Sequence, residues 1–125
     1  MNGASRLVAV VDDDPGVSRS LRRLLRALGH EVRSFPSGNA LLYGSGPEPP
    51  TDILLDLHMP GQSGPALVSR IRARWPEVRI HVPSGLETPG AAEACLAAGA
   101  VRFLRKPIHP SDLEGFLAPD GQGEA

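Results

Sequence analysis

Four places in this sequence carry side chains whose types and placement suit joint chemistry. Asp56 closes the apolar run of "TDILLDLHMPGQSG" and is followed within a few residues by Met59, Pro60 and Gly61. Such a run reads as a buried strand that stops at a tight turn, with a carboxylate at its tip. The triplet Asp12-Asp13-Asp14 follows a second apolar run, "LVAVV", and Lys106-Pro107 follows a third, near the C-terminus. Ser84 follows a fourth. Clustered carboxylates are hard oxygen ligands of the kind that hold Mg²⁺. A carboxylate nucleophile beside such a cation, with a lysine as point charge, is suited to accepting a phosphoryl group.

These groups act together only if the chain returns each of them to one place. Leu7 to Val11 is apolar at both parities and reads as a strand buried on two faces, as in a parallel sheet. Asp14-Pro15 then starts a helix, with Asp14 as N-cap and Pro15 as first helical residue. Val17, Leu21, Leu24, Leu25 and Leu28 follow at helical spacing, Gly29 ends the helix, and Arg19, Arg22, Arg23 and Arg26 form its solvated face. Asp14 is read as the cap and not as a metal ligand. Glu31 to Phe35 is expected as strand two, and 39–43 as a short helix capped by Ser37. The prolines of 44–50 keep that stretch a loop. Strand three is expected over Ile53 to Leu57, helix three over Ser63 to Trp75, and strand four over Val78 to Val82. Thr88-Pro89 starts an alanine-rich fourth helix that Gly99 ends. Strand five spans Val101 to Leu104, and a last helix runs from about Ser111 to Ala118.

Strand and helix alternate five times. The expectation is an α/β fold, a doubly wound five-stranded parallel sheet with helices on both faces and right-handed crossovers. Ligands of such sheets bind outside the carboxyl ends of the strands, near the switch in strand order. Asp12, Asp13, Asp56, Ser84 and Lys106 all fall on that rim.

Composition narrows the function classes. The 125 residues suit one domain, and 41% hydrophobic with 22% charged residues suits a globular fold. A net charge of −1 gives no basic field for nucleic acid or an anionic membrane, and 4% aromatics leaves no base-stacking surface. The single Cys95 forms no internal disulfide and reads as an inert buried thiol, which suits a reducing cytoplasm. No apolar run approaches the roughly 20 residues of a membrane span, and no signal-peptide stretch opens the chain. Residues 1–118 are expected as the folded domain, with 119–125 as a disordered tail or the start of a linker.

With "VVDDDP", "LLDLHMPGQSG", "PSG" and "AGAVRFLRKPI" in order, the chain resembles the receiver domain of bacterial two-component response regulators over about Arg6 to Leu117. Its pattern is similar to receivers that often carry a helix-turn-helix output domain. The resemblance implies the (βα)5 flavodoxin-like receiver fold. It implies that Asp56 is the phosphoacceptor and that Asp12, Asp13 and Asp56 hold Mg²⁺ or Mn²⁺ with the backbone carbonyl of His58. Lys106 and Ser84 would contact the phosphoryl group. Ser84, drawn toward it, would let the aromatic switch Phe103 turn inward. The implied partners are a sensor histidine kinase or phosphotransfer protein, a downstream protein or output domain, and a second copy through the helix 4–strand 5–helix 5 face. Neither direct nucleic-acid binding nor membrane association is implied. The implied activity is that of a switch and not of a conventional enzyme, apart from assisting its own phosphorylation and autodephosphorylation.

Several residues depart from the family pattern. Strand four carries His81 and Pro83 where aliphatic residues are usual. His81 reads as a satisfied or partly exposed core histidine, while Pro83 removes a backbone donor from a central strand. Gly115 and Pro119 shorten the last helix. His58 and Leu86 stand two residues after Asp56 and Ser84, positions that influence phosphoryl lifetime in the family. Pro83 leaves a second reading open, a pseudo-receiver that binds protein without being phosphorylated. An aspartyl hydrolase is disfavoured because His58 stands where a second acid is needed, and a nucleotide-binding enzyme because no Gly-rich phosphate loop follows strand one.

Overall fold

The structure is a computed structural model, and it describes residues 6–44, 46, 48–56, 64–84, 91–99 and 102–105. Strands and helices alternate as β1 (Leu7–Val11), α1 (Pro15–Ala27), β2 (Glu31–Phe35), α2 (Gly38–Gly44), β3 (Asp52–Leu55), α3 (Gly64–Arg74), β4 (Arg79–Ser84), α4 (Ala91–Ala98) and β5 (Arg102–Arg105). The sheet order is β2-β1-β3-β4-β5, and every neighbouring pair is parallel. The chain moves outward from β1 to β2, then returns across β1 to β3. The switch point therefore lies between β1 and β3.

Burial on both faces follows from the alternation of side chains along a strand. Val8 and Val10 of β1 join Leu54, Val32 and the α1 leucines Leu21 and Leu25 in one core. Ala9 and Val11 join Ile53, Leu55, Ile80 and Val82 in a second core, closed by Leu41 and Leu42 of α2, by Leu67, Val68 and Ile71 of α3, and by Cys95 of α4. The leucines read from spacing in helix one are thus split: Leu21 and Leu25 are buried, Leu24 and Leu28 half-buried, and Val17 exposed.

Helix ends follow the local chemistry. Asp14 Oδ1 accepts from the Gly16 N–H at 2.8 Å and the Val17 N–H at 3.3 Å, with Pro15 at the first helical position. Gly29, at φ 96°, takes the left-handed turn that ends α1. Ser37 Oγ accepts from the Ala40 N–H at 3.0 Å and caps α2 as expected.

Element bounds correct the sequence reading in places. β3 ends at Leu55 and not at Leu57, so Asp56 is the first residue beyond it. β5 is shifted by one residue. β4 starts one residue late and runs on through Pro83 to Ser84, with Pro83 paired in register to Leu104. Pro83 does not end the strand, because pairing with β3 already stops at Leu54↔His81, two residues earlier. The start expected for helix four, the last helix and the tail lie outside the described residues, as do Ser63, Leu86, Gly115 and Pro119.

At the foot of the sheet, opposite the rim of Asp56, the strand starts are tied by one buried carboxylate. Asp52 is fully buried and accepts from Arg79 Nε at 2.9 Å and from Thr51 Oγ1 at 2.9 Å, with Arg6 Nη1 at 3.5 Å. His81 Nε2 lies 3.2 Å from Asp52 Oδ1, and because a carboxylate only accepts, the imidazole N–H donates there. Burial opposes ionisation of Asp52 most strongly, but the His81 and Thr51 hydrogen bonds and the Arg79 charge outweigh it. The carboxyl therefore titrates below its ordinary value. His81 is thus a core histidine, buried and held through Nε2 by Asp52.

Candidate functional site

Strand register assembles the site. Val11 pairs with Leu55 as the last residues of β1 and β3, so Asp12 and Asp56 leave the sheet side by side at the switch point. The Asp56 N–H donates to the Val11 carbonyl at 3.0 Å, and the Asp12 N–H to the Phe35 carbonyl at 3.1 Å. These bonds carry the ladder one residue past each strand and fix where the two carboxylates start.

Carboxylate oxygens of Asp12, Asp13 and Asp56 all lie within 4.8 Å of one another. Asp12 and Asp56 are buried, at 7% and 6% exposure, whereas Asp13 is exposed. Three negative groups this close, two of them withdrawn from water, repel one another unless a cation or donors offset them. An all-oxygen donor set with one open side fits a hard divalent cation that keeps part of its water shell.

The aspartate triplet divides its labour. Asp14 caps α1, as its position before Pro15 required, and its N–H donates to Asp12 Oδ1 at 2.9 Å. That bond orients the Asp12 carboxylate. Ser18, buried on the first turns of α1, donates from Oγ to the Asp12 carbonyl at 3.5 Å. Neither contact was read from the sequence, although Ser18 at the start of a capped helix is a signal that could have found one.

Ser84 and Phe103 are placed by strand register: Ser84 ends β4 opposite Arg105, and Phe103 lies on β5 opposite Val82. Ser84 thus ends its strand on the rim where Asp12 and Asp56 follow theirs. His58 and Lys106 lie outside the described residues.

Comparison with known proteins agrees with this arrangement. Residues 8–118 match the family model of the response regulator receiver domain. Response regulator protein TmoT of Ectopseudomonas mendocina is 31% identical over 117 residues, covering 94% of this chain and 53% of that protein. Transcriptional regulatory protein PrrA of Mycobacterium tuberculosis is 37% identical over 106 residues, covering 85% of this chain and 46% of that one. The chain therefore spans about half the length of these relatives. A response regulator from Burkholderia pseudomallei, solved with a phosphorylated aspartic acid, calcium ion and citrate, superposes with a TM-score of 0.82 at 27% identity, over 90% of this chain and 66% of that one.

Proposed function

We propose that this chain, which belongs to the response regulator receiver domain family, takes up a phosphoryl group on Asp56 and so acts as a phosphorylation-dependent switch. The observation that carries this reading is the convergence of Asp12, Asp13 and Asp56 within 4.8 Å at the switch point of the sheet. The Asp56 carboxylate attacks the phosphorus of a phosphohistidine on a sensor kinase or phosphotransfer protein. A P–O bond forms as the P–N bond breaks, and the leaving imidazole keeps the electron pair and takes a proton from water. Asp12 and Asp13, with Asp56 and the His58 carbonyl, would hold Mg²⁺ or Mn²⁺, and a cation there would supply charge compensation for the transferring oxygens. Lys106 supplies a second positive charge and Ser84 a hydroxyl donor to the same oxygens. Ser84 and Phe103 then carry the change to the face of α4 and β5, where an output domain, a protein partner or a second copy docks. The same groups assist hydrolysis of the acyl phosphate.

Family membership makes the domain a signalling switch and not a conventional enzyme. The folded unit is taken as residues 1–118, supported by the family match over 8–118, with 119–125 as tail or linker. No described helix is long and apolar enough to cross a membrane, and a cytoplasmic location is part of the proposal.

Intact mass after incubation with Mg²⁺ and acetyl phosphate tests this. One phosphoryl gain, absent from Asp56→Asn, is expected. No gain with either acetyl phosphate or a phosphorylated kinase would leave the pseudo-receiver reading in its place.

A further inference from the structure

At the foot of the sheet, far along β3 from Asp56, lies a cavity of about 470 Å³. That volume is in the range of small-ligand sites, roughly 300–1,000 Å³. Its walls are of two kinds. Trp75, Pro50 and Pro76 give flat apolar surfaces, while Arg6, Arg74 and Arg79 bring three guanidinium groups. Asp52 behind the wall and Glu77 in it supply two negative charges, so one positive charge remains in excess.

The arginines are not equally satisfied. Arg79 Nε is held by Asp52 at 2.9 Å. Arg74 Nη1 donates to the Leu42 carbonyl at 2.9 Å, and its guanidinium lies 5.1 Å from the centre of the Trp75 ring. The Arg6 side chain is only 15% exposed, yet its ion pair with Asp52 is long at 3.5 Å. Arg6 Nε is buried with no hydrogen-bond partner among the described residues. A guanidinium that has largely left water for a single long contact lacks a bidentate partner.

We propose that this cavity binds a small planar aromatic carboxylate. The carboxylate completes the hydrogen bonding of Arg6, with Arg74 as the second charge, and the ring lies against Trp75 and the proline wall. The single excess charge matches a monoanion, and a planar carboxylate matches the guanidinium fork better than a tetrahedral dianion does. Stacking between the ring and Trp75 adds to the apolar contact.

Trp75 is the chain's one tryptophan, so its fluorescence reports this cavity directly. Titration of the whole chain with benzoate is expected to give a saturable change. Benzyl alcohol, with the same ring and no charge, is expected to give none. Arg74→Gln should weaken benzoate binding roughly tenfold, the worth of one charge-assisted contact. Arg6→Gln should do so at least as strongly, checked by circular dichroism because Arg6 also touches Asp52. If Arg6→Gln unfolds, the exposed Arg74 carries the test. An absent response at millimolar benzoate overturns the proposal. So does an equal response to benzyl alcohol, tighter binding of inorganic phosphate, or unchanged affinity in Arg74→Gln.

Discussion

Replacing Asp52 by asparagine tests whether the buried carboxylate at the sheet foot is a major part of the protein's stability. The change keeps shape and removes charge. It leaves Arg6 and Arg79, with side chains 15% and 20% exposed, beside a neutral amide. It also presents a carboxamide where Arg79 Nε, Thr51 Oγ1 and the His81 N–H all donate. An amide has one acceptor oxygen, so at least one donor meets an NH₂ group instead. Breaking a buried ion pair from one side costs about 3–5 kcal/mol. Residual exposure of both arginines places the expectation at the lower end, about 3 kcal/mol, which for a chain of this size lowers Tm by roughly 10–15 °C. Urea and thermal unfolding followed by circular dichroism measure it. The pH dependence gives a second signature. Asp52 titrates below its ordinary value of 3.8 in the folded state, so its contribution is fully present above that pH and is lost as pH falls through the lower folded value. The gap in stability between the wild type and Asp52→Asn should therefore narrow on acidification below that value. A variant within about 1 kcal/mol of wild type at neutral pH, or a gap that stays constant into strong acid, would refute the reasoning.

Three other outcomes are expected. Asp14→Ala removes the acceptor for the Gly16 and Val17 N–H groups and should cost about 1 kcal/mol in unfolding, while uptake of phosphoryl from acetyl phosphate persists in intact-mass assays. Leu25→Ala empties a fully buried position in the core under α1 and should cost about 2–5 kcal/mol in a urea titration. Cys95 is fully buried and burial pushes its thiol pKa up, so iodoacetamide should modify the folded protein far more slowly than the chain in urea, by mass spectrometry.

Local chemistry made much of this fold legible. Asp14-Pro15, Gly29 and Ser37 each act within a few residues, and each does what its type requires. The rim shared by Asp12, Asp13 and Asp56 was also legible, because strand–helix alternation puts the strand ends on one side of the sheet, while the register that brings their carboxylates together was not. What was hidden depended on register between strands distant in sequence. In sequence Asp52 merely precedes the apolar run of Ile53 to Leu55. Its role appears only when Asp52 pairs with Arg79 and Leu54 with His81, bringing a guanidinium and an imidazole to one carboxylate. Pro83 was read as a threat to β4 because a missing donor is visible in sequence, whereas the early end of the β3–β4 ladder is not.

The two ends of β3 are linked by that same register. A one-residue slip of β3 against β1 would displace Asp56 by about 3.3 Å and turn its side chain to the other face. The three-carboxylate cluster would then be lost. Apolar residues alone resist such a slip weakly here, since Asp52–Leu55 is buried on both faces and Ile53, Leu54 and Leu55 are near-equivalent hydrophobes. Asp52 is the residue of β3 that a slip cannot replace. A slip against β1 would part Asp52 from Arg6, which leads into β1, and Thr51 Oγ1 from the Leu7 carbonyl. A slip against β4 would part Asp52 from Arg79 and His81, leaving buried charge uncompensated at a cost of several kcal/mol. The sharp specification of register thus sits at the foot of the strand, while its consequence, the alignment of Asp12 with Asp56, is realised at the tip.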